Sequence, residues 1–125
     1  MNPAAKSLIL KAQDNLETAK KYLDDDQQHD IVGYNLAQAC EYFLKSLCAV
    51  RDLEYPHDEE GHDLDALMSL LEEDNLSAVS SYADLVELTQ YNSTGAHIRK
   101  ESRLNLRDYL AQLEDFKGLV REHTL

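Results

Sequence analysis

The chain has 125 residues, 24 acidic against 12 basic, for a formal charge of −12 and an isoelectric point near 4.6. This length supports one hydrophobic core, so a single domain over residues 1–125 is expected. With 43% hydrophobic residues in periodic spacing, disorder is excluded. The acidic balance argues against DNA or RNA binding by the surface as a whole, which rests on an excess of Lys and Arg.

No apolar run exceeds four residues (Leu47 to Val50), too short to span a bilayer. Met1-Asn2-Pro3 lacks the basic and apolar regions of a signal peptide. A cytoplasmic protein with no membrane partner is expected. The charge itself is uneven. Between Asp52 and Ile98 stand 12 acids and no Lys or Arg, whereas the rest of the chain holds 12 of each and is neutral.

Along the chain the periodicity is helical throughout. Asn2 can cap a first helix with Pro3 at its first position, where the missing N–H costs nothing. Ala5, Leu8, Ala12, Leu16, Ala19 and Leu23 give it one apolar stripe, and Asp24-Asp25-Asp26 ends it. Asp30 can cap a second helix that runs to about Arg51. Val32, Leu36, Ala39, Phe43, Leu47 and Val50 form one stripe there, beside a second of Ala37, Cys40, Leu44 and Cys48. Only Asn35, Gln38, Tyr42 and Lys45 form a polar strip, so this helix belongs at the centre.

Cys40 and Cys48, about 12 Å apart along that helix, are too far apart for a mutual disulfide and read as buried thiols. Residues Asp52 to His62 read as an acidic loop with Pro56 and Gly61. Asp63 caps a short third helix carrying Leu64, Leu67, Met68 and Leu71, broken at Asp74-Asn75. A fourth helix is expected from about Ser77, through Val79, Tyr82, Leu85, Val86 and Leu88, to a break at Asn92–Gly95. The last begins after Gly95, most clearly from Ser102, with Leu106, Tyr109, Leu110, Leu113, Phe116 and Val120 inward. The fold class is all-α, a compact up-and-down bundle of four to five helices.

Gln38-Ala39-Cys40-Glu41-Tyr42-Phe43-Leu44-Lys45-Ser46-Leu47 resembles the QAxExxLKxL signature of HEPN domains. His62-Asp63-Leu64 is similar to the His-Asp/Ser-Leu that opens that family's third helix. The resemblance covers nearly the whole chain. It implies a HEPN-like bundle that is usually a homodimer, with members that act in toxin–antitoxin pairs beside small nucleotidyltransferases. It also implies, for the active toxins, a metal-independent RNase whose Arg-x4–6-His motif lies near the start of the last helix. His97 stands where that catalytic His is expected, but Gln90, Tyr91 and Asn92 occupy the positions of the Arg. An imidazole can transfer protons, yet no permanent cation is offered there to a phosphorane-like transition state. Arg51 and His57 match the spacing by count but fall in the wrong region.

The candidate site residues follow. His97 is the catalytic candidate; Arg99, Arg103 and Arg107, spaced by four, are a binding row if helical, joined by Lys100. Such a row needs acids, and Asp58 to Glu60 or Glu72 to Asp74 are the expected internal counterparts. Glu41 and Lys45 are expected to form an ion pair on the polar strip, or else to line a cleft. His57, Asp58, Glu59, Glu60, His62 and Asp63 could ligate a divalent ion. They are nearly contiguous in a loop with no fixed geometry, so no metal or cofactor is expected, and His62 is read as satisfied by backbone near the helix start.

The function these readings favour is protein binding by an acidic, non-catalytic or weakly catalytic interaction module. It is homodimeric and partnered with a nucleotidyltransferase-type protein that has a basic face, with RNA possible but not favoured. The alternative is a metal-independent RNase toxin with a degenerate motif, using His97 and a nearby Arg. Whether the chain is an enzyme stays open at this point.

Overall fold

Capping chemistry sets the helix starts in the computed structural model, which describes residues 2–56, 62–92 and 104–124. The Asn2 side chain accepts hydrogen bonds from the N–H groups of Ala4 and Ala5 at 2.8 and 3.3 Å, and α1 spans Pro3–Tyr22. Its buried stripe is Ala5, Ile9, Ala12, Leu16 and Ala19. Leu8 and Leu23, expected in that stripe, are only partly buried, and Ile9 takes the inward place. Asp25 caps a short 3-10 turn, Asp26–Gln28, by accepting from Gln27 N–H at 3.0 Å.

The central helix α2 spans His29–Val50, two residues ahead of the start expected behind an Asp30 cap. Gln28 is the cap residue and Asp30 sits in the first turn, where its charge suits the helix dipole. From Leu36 to Cys48 every residue except Tyr42 is buried, so this helix is surrounded as its sequence implies. The strip expected to stay polar at the surface is not left to solvent: Gln38 and Lys45 are 7% and 8% exposed.

Both α2 and α3 (Leu64–Glu73, capped by Asp63) end in the same way. A residue with positive φ follows the cap residue, Asp52 at 55° and Asn75 at 69°. The next N–H then reaches back, Leu53 to the Cys48 carbonyl at 3.0 Å and Leu76 to the Leu71 carbonyl at 2.9 Å. Asp and Asn tolerate this left-handed conformation better than other side-chain-bearing residues, which is why these two stop the helices.

The expected fourth helix differs. Ser77–Leu88 forms two short 3-10 pieces joined at Tyr82, whose φ of −113° and ψ of 22° are not helical. Serines and Val79 are weak α-formers, and the kink still turns Val79, Leu85 and Leu88 inward. Only Thr89–Asn92, α4, is α-helical there. The last helix, α5, spans Leu106–Thr124 and starts at the cap residue Asn105 rather than at Ser102; its Oδ1 accepts from Asp108 N–H at 3.4 Å.

Asn2 Nδ2 donates to the Ala49 carbonyl at 3.3 Å and Asn15 to Asn35 at 2.9 Å, so α1 and α2 lie antiparallel along their length. Lys20 pairs with Glu114 at 2.7 Å and Asp24 with Arg107, which sets α5 antiparallel to α1 and parallel to α2. Phe43 of α2 meets Phe116 of α5 edge to face at 6.3 Å, and Tyr82 closes on the same ring at 4.9 Å. One continuous core joins all these elements. Among the described residues there is no strand, and no helix is long and apolar enough to cross a membrane.

Candidate functional site

Gln38, Glu41 and Lys45 of α2 are gathered into one network, buried on α2 and open to solvent at His62, whose side chain is 48% exposed. Glu41, 2% exposed, accepts from Lys45 Nζ on one oxygen at 2.7 Å. On the other it accepts from His62 Nδ1 at 2.8 Å and from Asn92 Nδ2 at 2.9 Å. Asn92 also donates to the His62 carbonyl at 3.2 Å, and its own side-chain oxygen accepts from Gln38 at 2.6 Å. The Lys45 ammonium lies 5.8 Å from the centre of the Tyr55 ring. Burial on its own would raise the Glu41 carboxyl, but the bonds from His62, Lys45 and Asn92 outweigh it and hold the group below its ordinary value. Glu41 is therefore ionised, and His62 Nδ1 carries the proton it shares.

The expected Glu41–Lys45 ion pair is thus present, and it forms part of a larger network. His62 bonds to Glu41 rather than to a backbone group beside its own helix, because the turn into α3 lies directly over α2. The i, i+3, i+7 spacing of Gln38, Glu41 and Lys45 was the readable signal for a shared face. Asn92, 51 residues from Glu41, carried none.

Tyr91 is committed in a similar way. Its ring lies where a Cβ on Gly33 would stand, 2.4 Å from Cδ1. Its hydroxyl hydrogen-bonds His29 Nε2 at 2.8 Å and accepts from Leu104 N–H at 3.4 Å. One side chain therefore ties α4 to the start of α2 and to the approach to α5.

Arg107 stands in the first turn of α5 and pairs with Asp24 at the end of α1. This corrects the expected counterpart, which was the acidic middle of the chain. Asp74 of that block is instead taken by Arg51, through Nε at 2.6 Å and through the Asp74 carbonyl at 2.7 Å. Asp58 to Glu60 lie outside the described residues, as do His97, Arg99, Lys100 and Arg103. The cleft beside Arg107, about 270 Å³, is lined by Leu23, Asp25, Asp26, His29 and Asn105 among others. Asp24 engages the Arg107 guanidinium and two more carboxylates rim the space, so the cleft favours no phosphate.

Among the described residues no group of three His, Cys, Asp or Glu side chains converges as a metal site would. Cys40 and Cys48 are both buried and reduced; burial pushes the Cys40 thiol up strongly and Cys48 up to about 11, with Asp74 adding to the latter. Neither is a thiolate at neutral pH.

A family model described as HEPN domain matches residues 5–122. No curated protein matches the chain, and no solved structure does.

Proposed function

The chain belongs to the HEPN domain family, and from that premise we propose that it is a homodimeric interaction module rather than a competent nuclease. The observation that carries this reading is the fate of positions 90 to 92, where the family's active toxins are expected to place the catalytic Arg. Gln90 is half-buried and uncharged, and the Tyr91 and Asn92 side chains are buried and engaged in holding the fold. Asn92 completes the hydrogen bonding of Glu41 and Gln38. Tyr91 fills the space over Gly33. Neither carries a charge, and neither can turn toward a substrate without breaking the packing of α2.

The partner is a protein with a basic face, of the nucleotidyltransferase type found beside other family members in toxin–antitoxin-like pairs. A surface of −12 steers such an encounter and repels RNA. Affinity capture with the full chain from its native host tests this reading. Stoichiometric recovery of a nucleotidyltransferase-type protein is the expected result. Recovery of RNA without a protein partner would overturn it in favour of the nuclease.

A further inference from the structure

The described surface carries three large exposed hydrophobic side chains: Leu10 at 53%, Ile31 at 47% and Tyr34 at 42%. Two of them, Ile31 and Tyr34, stand three residues apart in the first turns of α2 and are neighbours on its outer side. Neither packs into the core, although Tyr42 of the same helix does. Helix propensity does not explain them either, because Ile and Tyr form helices less readily than Ala, Leu, Glu or Lys. Asn35 donates to the Ile31 carbonyl at 2.9 Å and accepts from Asn15 at 2.9 Å, which fixes this part of α2 against α1. The charge beside the pair is of one sign. Asp30 is exposed and lies one helical turn before Tyr34. Asp24, Asp25 and Asp26 stand exposed just ahead of α2, and Asp24 is the one that pairs with Arg107. No Lys or Arg occurs between Lys21 and Lys45.

We infer that Ile31 and Tyr34 are where the basic protein partner docks, with Asp30 at their rim. The inference rests on the partner reading above and gives it a location and a chemistry. The occupant is a protein face with an apolar hollow bordered by arginines. Ile31 and Tyr34 lose water in the hollow, as the apolar centre of an interface does, while the charges stay at its edge. An arginine of the partner can lay its guanidinium on the Tyr34 ring and meet the Asp30 carboxylate beside it. The same carboxylates select against other occupants. A second copy would bring Asp30 toward Asp30, and like charges facing across an interface oppose docking. RNA and an anionic bilayer surface are repelled for the same reason. The pair sits on the central helix, held by the core behind it, so docking requires no rearrangement of the fold.

Titration of the purified full chain and its variants with the nucleotidyltransferase-type protein recovered by affinity capture tests this. Ile31→Ala and Tyr34→Ala remove the apolar contact and put a better helix former at an exposed site, so the fold is retained, which circular dichroism checks. Each is expected to weaken binding by about tenfold or more. Leu10→Ala, the same kind of change on α1, is expected to leave it unchanged. Asp30→Asn is expected to weaken binding about two- to fivefold and to reduce its dependence on salt. A recovered protein that binds Ile31→Ala and Tyr34→Ala as tightly as wild type would overturn the location while the partner reading stands. Loss of self-association in Tyr34→Ala with partner affinity kept would also overturn it and assign the face to a second copy. Capture of no protein by the wild-type chain would overturn both readings.

Discussion

Two charged regions of this molecule look alike in sequence and differ in structure. Glu41 and Lys45 are an acid and a base at helical spacing, and so their surroundings resemble those of Arg107, which also finds an acid. The first pair is buried, with side-chain exposures of 3% and 11%, and is joined by His62, Asn92 and Gln38. The second, Arg107 with Asp24, is 66% and 83% exposed and stands alone at a helix start. Burial turns the first into a lock between α2, α3 and α4. Exposure leaves the second weak and interchangeable. Strong chemistry in a motif can therefore serve architecture.

The largest test of this contrast is Glu41→Ala. It strands the Lys45 ammonium and removes the acceptor of three donors, and should destabilise the fold by about 3–5 kcal/mol in denaturant titration. A loss under about 1 kcal/mol would mean the network is ornamental. The same carboxyl sets a pH dependence with a definite sign. Its native pKa lies below the ordinary carboxylate value of about 4.3, so the unfolded chain takes up the proton more readily. Its contribution is present in full above that ordinary value and is lost as pH falls through the lowered native one. Glu41→Gln should flatten that part of the acid limb, measured by thermal melts at stepped pH.

Next in size is Gly33→Ala. Alanine in a helix ordinarily gains about 0.5–1 kcal/mol over glycine, but here the new Cβ meets the Tyr91 ring at 2.4 Å. Over-packing against a buried ring should reverse the sign and cost about 1–3 kcal/mol. Gly118 of α5 is the counterpart: nothing stands within 4 Å of its added Cβ, and Gly118→Ala should stabilise by about 0.5–1 kcal/mol. Melting the two variants side by side checks both signs. The smallest effect is Arg107→Ala, expected within about 0.5 kcal/mol of wild type, since an exposed pair contributes little. A larger loss would put the two charged regions on an equal footing.

How much of this could be read beforehand follows from what each feature depends on. The helix starts at Asn2 and Asp63, the stops at Asp24–Asp26 and Asp74-Asn75, and the centrality of α2 depend on local chemistry and period, and were legible. The 3-10 geometry of Ser77–Leu88 was not. Its apolar spacing suits a helix, and only packing at Tyr82 decides which kind. In the site, the Glu41–Lys45 pair is an i, i+4 relation and shows in the sequence. Asn92 to Glu41, His62 to Glu41, and Asp24 to Arg107 each join distant segments. No local pattern distinguishes those side chains from other surface polar residues. The excess charge of the acidic block points to that block for the acid that meets Arg107. It comes instead from the end of α1, which the bundle sets beside α5.

Tyr91 and Asn92 hold the fold in the region where an active nuclease of this family is expected to place its arginine. The most direct measurement is cleavage of RNA by the purified chain in the presence of a metal chelator, wild type beside His97→Ala. Wild type is expected to cleave no more RNA than His97→Ala. Cleavage by wild type that disappears in His97→Ala would contradict it.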